Sequence, residues 1–123
     1  MVRTELNPRF TNQKSFYKKA HILQEGDVYT LESYTTRVMQ YDKTARTLGV
    51  FGDWSSTTRR HQWEFMNWVD DLGNGEYFVN VYNHICKEEK IKSFAQFLRE
   101  VDTIDLKNHT YKLNRGAQVK SFV

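Results

Sequence analysis

From Val28 to Phe51 the sequence passes through three apolar and polar alternations separated by short polar turns. Val28-Tyr29-Thr30-Leu31-Glu32-Ser33-Tyr34, Thr36-Arg37-Val38-Met39-Gln40-Tyr41 and Arg46-Thr47-Leu48-Gly49-Val50-Phe51 each read as a strand with one buried face. The links are too short for a helical crossover, so consecutive strands must run antiparallel. An extended run over 17–23, punctuated by Gly26-Asp27, places a further strand before them. The pattern is an antiparallel meander, and its apolar face needs a cover.

The cover is expected from the chain that follows. After Gly52-Asp53-Trp54, the residues Ser55-Ser56-Thr57 supply N-cap chemistry, and Gly73 suits the residue just past a helix end. At about 100° per residue, His61, Phe65, Trp68, Val69 and Leu72 fall within roughly a third of the circumference, a core-facing stripe. A second helix is expected over 87–101, with Ile91, Phe94, Ala95, Phe97, Leu98 and Val101 on its apolar face and Glu88 spaced to pair with Lys92. The β-branched and aromatic run Tyr77-Phe78-Val79-Asn80-Val81-Tyr82 favours another strand, with a helix as the open alternative, and 109–113 adds one more strand.

The fold expected is therefore α+β: an antiparallel sheet of four to five strands packed against two helices. Phe65, Trp68, Val69, Leu72, Phe94 and Leu98 form its core. With 123 residues one domain is expected, over 15–123, preceded by a flexible polar arm over 1–14 that holds the sole proline, Pro8. The aromatic content of 15% means that rings fill much of the interior. No apolar run approaches the roughly 18 residues of a membrane span, and the N-terminus lacks the apolar stretch of a signal peptide. The single cysteine, Cys86, fits a reducing compartment, so the cytoplasm is expected.

Catalytic chemistry leaves no local signature. The sequence holds no Gly-rich phosphate loop, no nucleophile elbow and no zincin motif, and Asp70-Asp71 reads as solvated charge at a helix end. A metal reading rests on His84-Ile85-Cys86, which puts imidazole and thiol on one face if the segment is extended. His21, His61 and His109 are the available further ligands for a structural zinc. The opposite reading is a packed cysteine beside a surface histidine.

Two features point to binding instead. Arg59, Trp63 and Met66 lie one turn apart on the side of the first helix opposite the core stripe, either an exposed contact surface or a second packing face. Arg59 and Arg60 occupy the first helical turn, where the helix dipole disfavours cations, as an anion contact or plain solvated charge would explain. The net charge of +3 gathers at the N-terminal end, where Arg3, Arg9, Lys14, Lys18 and Lys19 face Glu5 alone. Lys14, Lys18 and Lys19 interleave with Phe16 and Tyr17, a mixture that suits nucleic acid as well as an acidic protein surface.

Asn7-Pro8-Arg9-Phe10 running into Lys14-Ser15-Phe16-Tyr17-Lys18-Lys19-Ala20, together with Ser55-Ser56-Thr57-Thr58-Arg59-Arg60-His61-Gln62-Trp63-Glu64-Phe65, resembles a family of small domains carried by phages and mobile elements of Gram-positive bacteria. Leu31-Glu32-Ser33-Tyr34-Thr35-Thr36 resembles a strand of the same family, and the likeness covers 7–66. It implies an accessory protein that inhibits a host defence protein, with anti-CRISPR action on a type II effector nuclease as the first candidate, in the cytoplasm of the bacterial host. A basic chain does not imitate DNA, so direct protein binding is the expected mode. Arg59, Arg60, Trp63, Met66, Lys14, Lys18 and Lys19 are then the partner-binding residues, and no residue is carried over as catalytic. The alternative is a small basic nucleic-acid-binding protein.

Overall fold

The computed structural model describes residues 1–8, 19–72 and 77–123. The alternating runs form β2 (Ala20–Glu25), β3 (Val28–Ser33), β4 (Thr36–Asp42) and β5 (Thr47–Val50), each antiparallel to the last. Ahead of them lies β1 (Val2–Glu5). After them come three helices, α1 (Ser56–Asp70), α2 (Phe78–Glu89) and α3 (Phe94–Glu100), and then β6 (Val101–Asp105), β7 (Thr110–Leu113) and β8 (Val119–Ser121). The strands make one sheet of eight in chain order, with β5 bonded directly to β6 through pairs such as Leu48↔Ile104. The whole helical layer is thus one excursion from the middle of a meander.

The α+β class stands, but the sheet is larger than the expected four to five strands. β1 falls inside the expected arm: its residues alternate poorly, and it is a strand because β2 offers it an edge, sealed where Leu6 N–H donates to the Ala20 carbonyl at 2.9 Å. β6 was hidden because Val101 continues a helical stripe and Ile104 is its only other buried residue. Residues 9–14 of the expected arm, and the turn at Gly73, lie outside the described residues.

The segment favoured as a strand over 77–82 belongs to α2. Asp70, the last residue of α1, accepts hydrogen bonds from Phe78 N at 2.7 Å and Val79 N at 3.1 Å, so its carboxylate caps the free amides at the start of α2. The buried residues Phe78, Val81 and Ile85 then recur at helical spacing. The helix expected over 87–101 is two elements. Lys90 takes a left-handed conformation (φ 56°) that ends α2, and Ser93 Oγ accepts from Gln96 N at 3.1 Å to start α3, so Glu88 and Lys92 share no helix face.

The helices cover the sheet face that carries Tyr29, Leu31, Met39, Tyr41, Leu48, Val50, Ile104 and Tyr111, all buried. Phe65, Val69 and Leu98 are buried as expected, while Trp68, Leu72 and Phe94 pack at the margin of the core. α1 is covered on both sides: Tyr29 meets Trp68 from the sheet, and the rings of Tyr82 and Phe94 meet Trp63 from α2 and α3.

Candidate functional site

The connection from β5 to α1 is where buried polar bonds hold exposed apolar groups in place. Between Leu31 and Glu32 the pairing of β3 with β4 slips, leaving Val38 without an opposite residue. Its carbonyl accepts instead from Phe51 N at 3.2 Å and from the buried Gln62 Nε2 at 3.2 Å; the same Gln62 amide nitrogen reaches the Gly52 carbonyl at 3.0 Å. One side chain of α1 therefore anchors both the bulge and the loop. Gly52 sits at φ +138°, a conformation open to glycine and strained for other residues.

Two large rings stand at the surface on either side of that glycine, Phe51 at 49% and Trp54 at 46% exposure. Gly49 bears no side chain on the outer face of β5, and a Cβ there would lie 3.4 Å from Phe51 Cε1, so the glycine leaves the seat on which this ring rests. Between the rings, the largely buried Asp53 carboxylate accepts from Arg59 Nε at 2.7 Å and from Arg99 Nη1 at 3.3 Å. Arg59 comes from the first turn of α1 and Arg99 from α3, so the loop is tied to both helices. The misfit of a cation in the first turn is resolved by Asp53, not by solvent.

From the loop a hydroxyl chain runs inward, from exposed Ser55 to the buried Thr58, Ser33 and His61. Ser55 caps α1 by accepting from Thr58 N at 3.1 Å, Thr58 Oγ1 lies 2.9 Å from Ser33 Oγ, and Ser33 Oγ lies 2.8 Å from His61 Nδ1. A serine against an imidazole is the arrangement of an activated nucleophile. Here both side chains are closed off from solvent, so the pair fastens α1 to the end of β3. Burial pushes His61 from its ordinary 6.5 down to about 4, which keeps the ring neutral.

The expected partner-binding residues are scattered by this geometry. Met66 is fully buried, and Trp63 packs edge-on against Tyr82 at 5.4 Å and Phe94 at 5.2 Å, because α2 and α3 cover the side of α1 left open by the sheet. Met66 therefore offers no contact surface, and Trp63 only the part these rings leave open. Arg59 is the member of that stripe that reaches the surface, Arg60 is half-buried in α1, and Lys19 is exposed with Nζ 6.0 Å from the ring centre of Tyr34. Lys14 and Lys18 lie outside the described residues.

The metal reading fails on helix geometry. His84 and Cys86 sit in α2, where residues two apart point about 200° from each other, so they do not converge on one ion. His84 lies edge-on to Phe122 at 6.5 Å, while burial raises the Cys86 thiol, which then behaves as a packed hydrophobe. Among the described residues no three of His, Cys, Asp and Glu gather as metal ligands, and no described helix is long and apolar enough to cross a membrane.

Phe51 and Trp54 went unread in the sequence, where they mark the end of a strand and the approach to a helix. The signal was present: a strand-to-helix junction lies at the surface, and Phe51-Gly52-Asp53-Trp54 loads that junction with rings.

The model of the family of unknown function DUF8033 matches residues 4–79. The chain belongs to this family. The DUF8033 match takes in the end of β1, all of β2 to β5, α1 and the first residues of α2, and so contains Phe51, Asp53, Trp54 and Arg59, while Arg99 lies beyond it. It encloses the 7–66 likeness and names no function or host. No curated protein and no solved structure matches the chain.

Proposed function

We propose that this DUF8033 protein works without catalysis, by binding another protein through the β5–α1 loop. The observation that carries the reading is the pair of rings, Phe51 and Trp54, held half-exposed on a loop that Gln62, Arg59 and Arg99 fix to α1 and α3. Exposed aromatic residues on a rigid support are the usual anchors of protein interfaces, since little conformational entropy is lost when they are covered. The buried Ser33 and His61 pair, sealed from any substrate, supports the non-catalytic part.

For the partner we propose a host defence protein met by a phage or mobile element in the bacterial cytoplasm, first of all a type II CRISPR effector nuclease. The support is the resemblance of residues 7–66 together with a basic chain that suits direct contact better than imitation of DNA. The test is co-purification with such a nuclease and a DNA-cleavage assay, with the unaltered chain and with Phe51→Ala/Trp54→Ala. A complex and inhibition that the double variant loses would support both parts. No complex and full cleavage would remove the nuclease, and binding unchanged in a folded double variant would remove the loop.

A further inference from the structure

The β5–α1 loop carries a second feature besides its rings. Arg59 meets Asp53 through Nε alone and Arg99 through Nη1 alone, and neither guanidinium has another acceptor among the described residues. Arg59 thus keeps both terminal amino groups free, and Arg99 keeps Nε and Nη2, each a pair of donors of the spacing that grips a carboxylate with two parallel bonds. Their orientation is fixed from below by Asp53, whose side chain is 9% exposed. Arg99 is 59% exposed and also forms one wall of the groove it shares with Gln96, Glu100, Asn114 and Arg115. The acids of that groove are already committed: Glu100 to Gln96 at 2.6 Å and to Arg115 at 3.9 Å, Glu89 to Tyr111 at 2.6 Å and Lys120 at 2.9 Å.

We infer that Arg59 and Arg99, set by Asp53, form a carboxylate receptor beside Trp54, and that the surface takes an acidic protein segment placing an Asp or Glu side chain between the guanidinium groups and an apolar side chain on the rings. The inference rests on the binding role proposed for the loop. Two arginines over one aspartate leave a single net positive charge, which matches one carboxylate and falls short of the run of cations that a nucleic-acid backbone requires. Asp53 is a positioning residue here. Removing its charge makes the surface more positive yet releases both guanidinium groups, so specific recognition weakens while unspecific attraction strengthens.

The probe is a random twelve-residue peptide library displayed on phage and selected on the purified full chain, followed by anisotropy titration of a labelled enriched peptide. The expected result is enrichment of Asp or Glu next to an apolar residue. Affinity should fall about tenfold or more in Arg99→Gln, in Arg59→Gln and in the peptide with its acid changed to the amide, and it should fall also in Asp53→Asn and Trp54→Ala. Arg99→Gln alters an exposed side chain and guards against a folding defect. Binding that needs Trp54 but ignores both arginine changes would overturn the receptor and leave the loop reading standing. Binding that ignores Trp54 as well would overturn both. Tighter binding in Asp53→Asn, the absence of any enriched peptide, or arginine-dependent binding of a twelve-nucleotide oligothymidine stronger than that of the peptide would each overturn it.

Discussion

His61 ties the stability of this fold to pH. The ring is fully buried, 2.8 Å from Ser33 Oγ, and desolvation holds it near 4 against an ordinary 6.5. Between those values the unfolded chain carries a proton that the folded chain refuses, so stability drops as pH falls, by about 1.4 kcal/mol per pH unit. Over the full interval of roughly 2.5 units the loss is about 3 kcal/mol, a large share of the 5–15 kcal/mol that holds a small domain together. Asp70 acts in the opposite direction, because burial raises its carboxyl and the folded state gains protons first. Glu89, held low mainly by the Tyr111 hydroxyl, adds a loss of the same sign as His61 but only at carboxylate pH values. Urea unfolding followed by tryptophan fluorescence at pH 7.0, 6.0 and 5.0 reads the slope, and the His61→Gln variant isolates it. Glutamine can still meet the Ser33 hydroxyl and cannot take the proton. The unaltered chain should lose stability steadily from pH 6.5 downward while the variant stays nearly flat to pH 5. Parallel curves for the two proteins would refute the assignment.

Asp70→Ala strips the cap from α2 and should cost about 1–2 kcal/mol at pH 7, with amide exchange at Phe78 and Val79 speeding up before that of the sheet. Met66→Ala empties a fully buried site and should cost about 2–5 kcal/mol. Trp54→Ala should cost under about 1 kcal/mol in the same urea titration, since the ring is half-exposed. Cys86→Ala and His84→Ala should leave the zinc content of the purified protein and the response of its Tm to added zinc unchanged, because α2 turns the two side chains apart.

Much of the fold was legible because its strands pair with their neighbours in sequence. β2 to β5 announce themselves by alternation, and the His61, Phe65 and Val69 stripe of α1 points to the sheet as its spacing requires. What escaped reading depends on partners distant in sequence. β1 has almost no apolar alternation of its own and is a strand only against β2. α2 overrides the strand preference of Val79, Val81 and Tyr82 because Asp70 reaches across to cap it. The end of α2 is marked by a left-handed lysine, Lys90, where the habitual signal would be glycine.

The fate of the Arg59, Trp63 and Met66 stripe explains where a contact surface has to lie. A helix with one apolar stripe lies on a sheet and shows its other side to solvent. α1 adds Trp63 and Met66 behind the stripe, and a second apolar side calls for a second cover, which α2 and α3 supply with Tyr82, Phe94 and Phe97. Covering that side leaves little of the helix body open and favours its ends. At the N-terminal end the chain has just left β5, a strand hydrogen-bonded on both sides by β4 and β6, so the entry to the helix is fixed by the sheet. Rings placed on such an entry are rigid without being buried. The same arrangement that covers much of Trp63 therefore makes Trp54, nine residues earlier and two residues before the helix, the more open anchor.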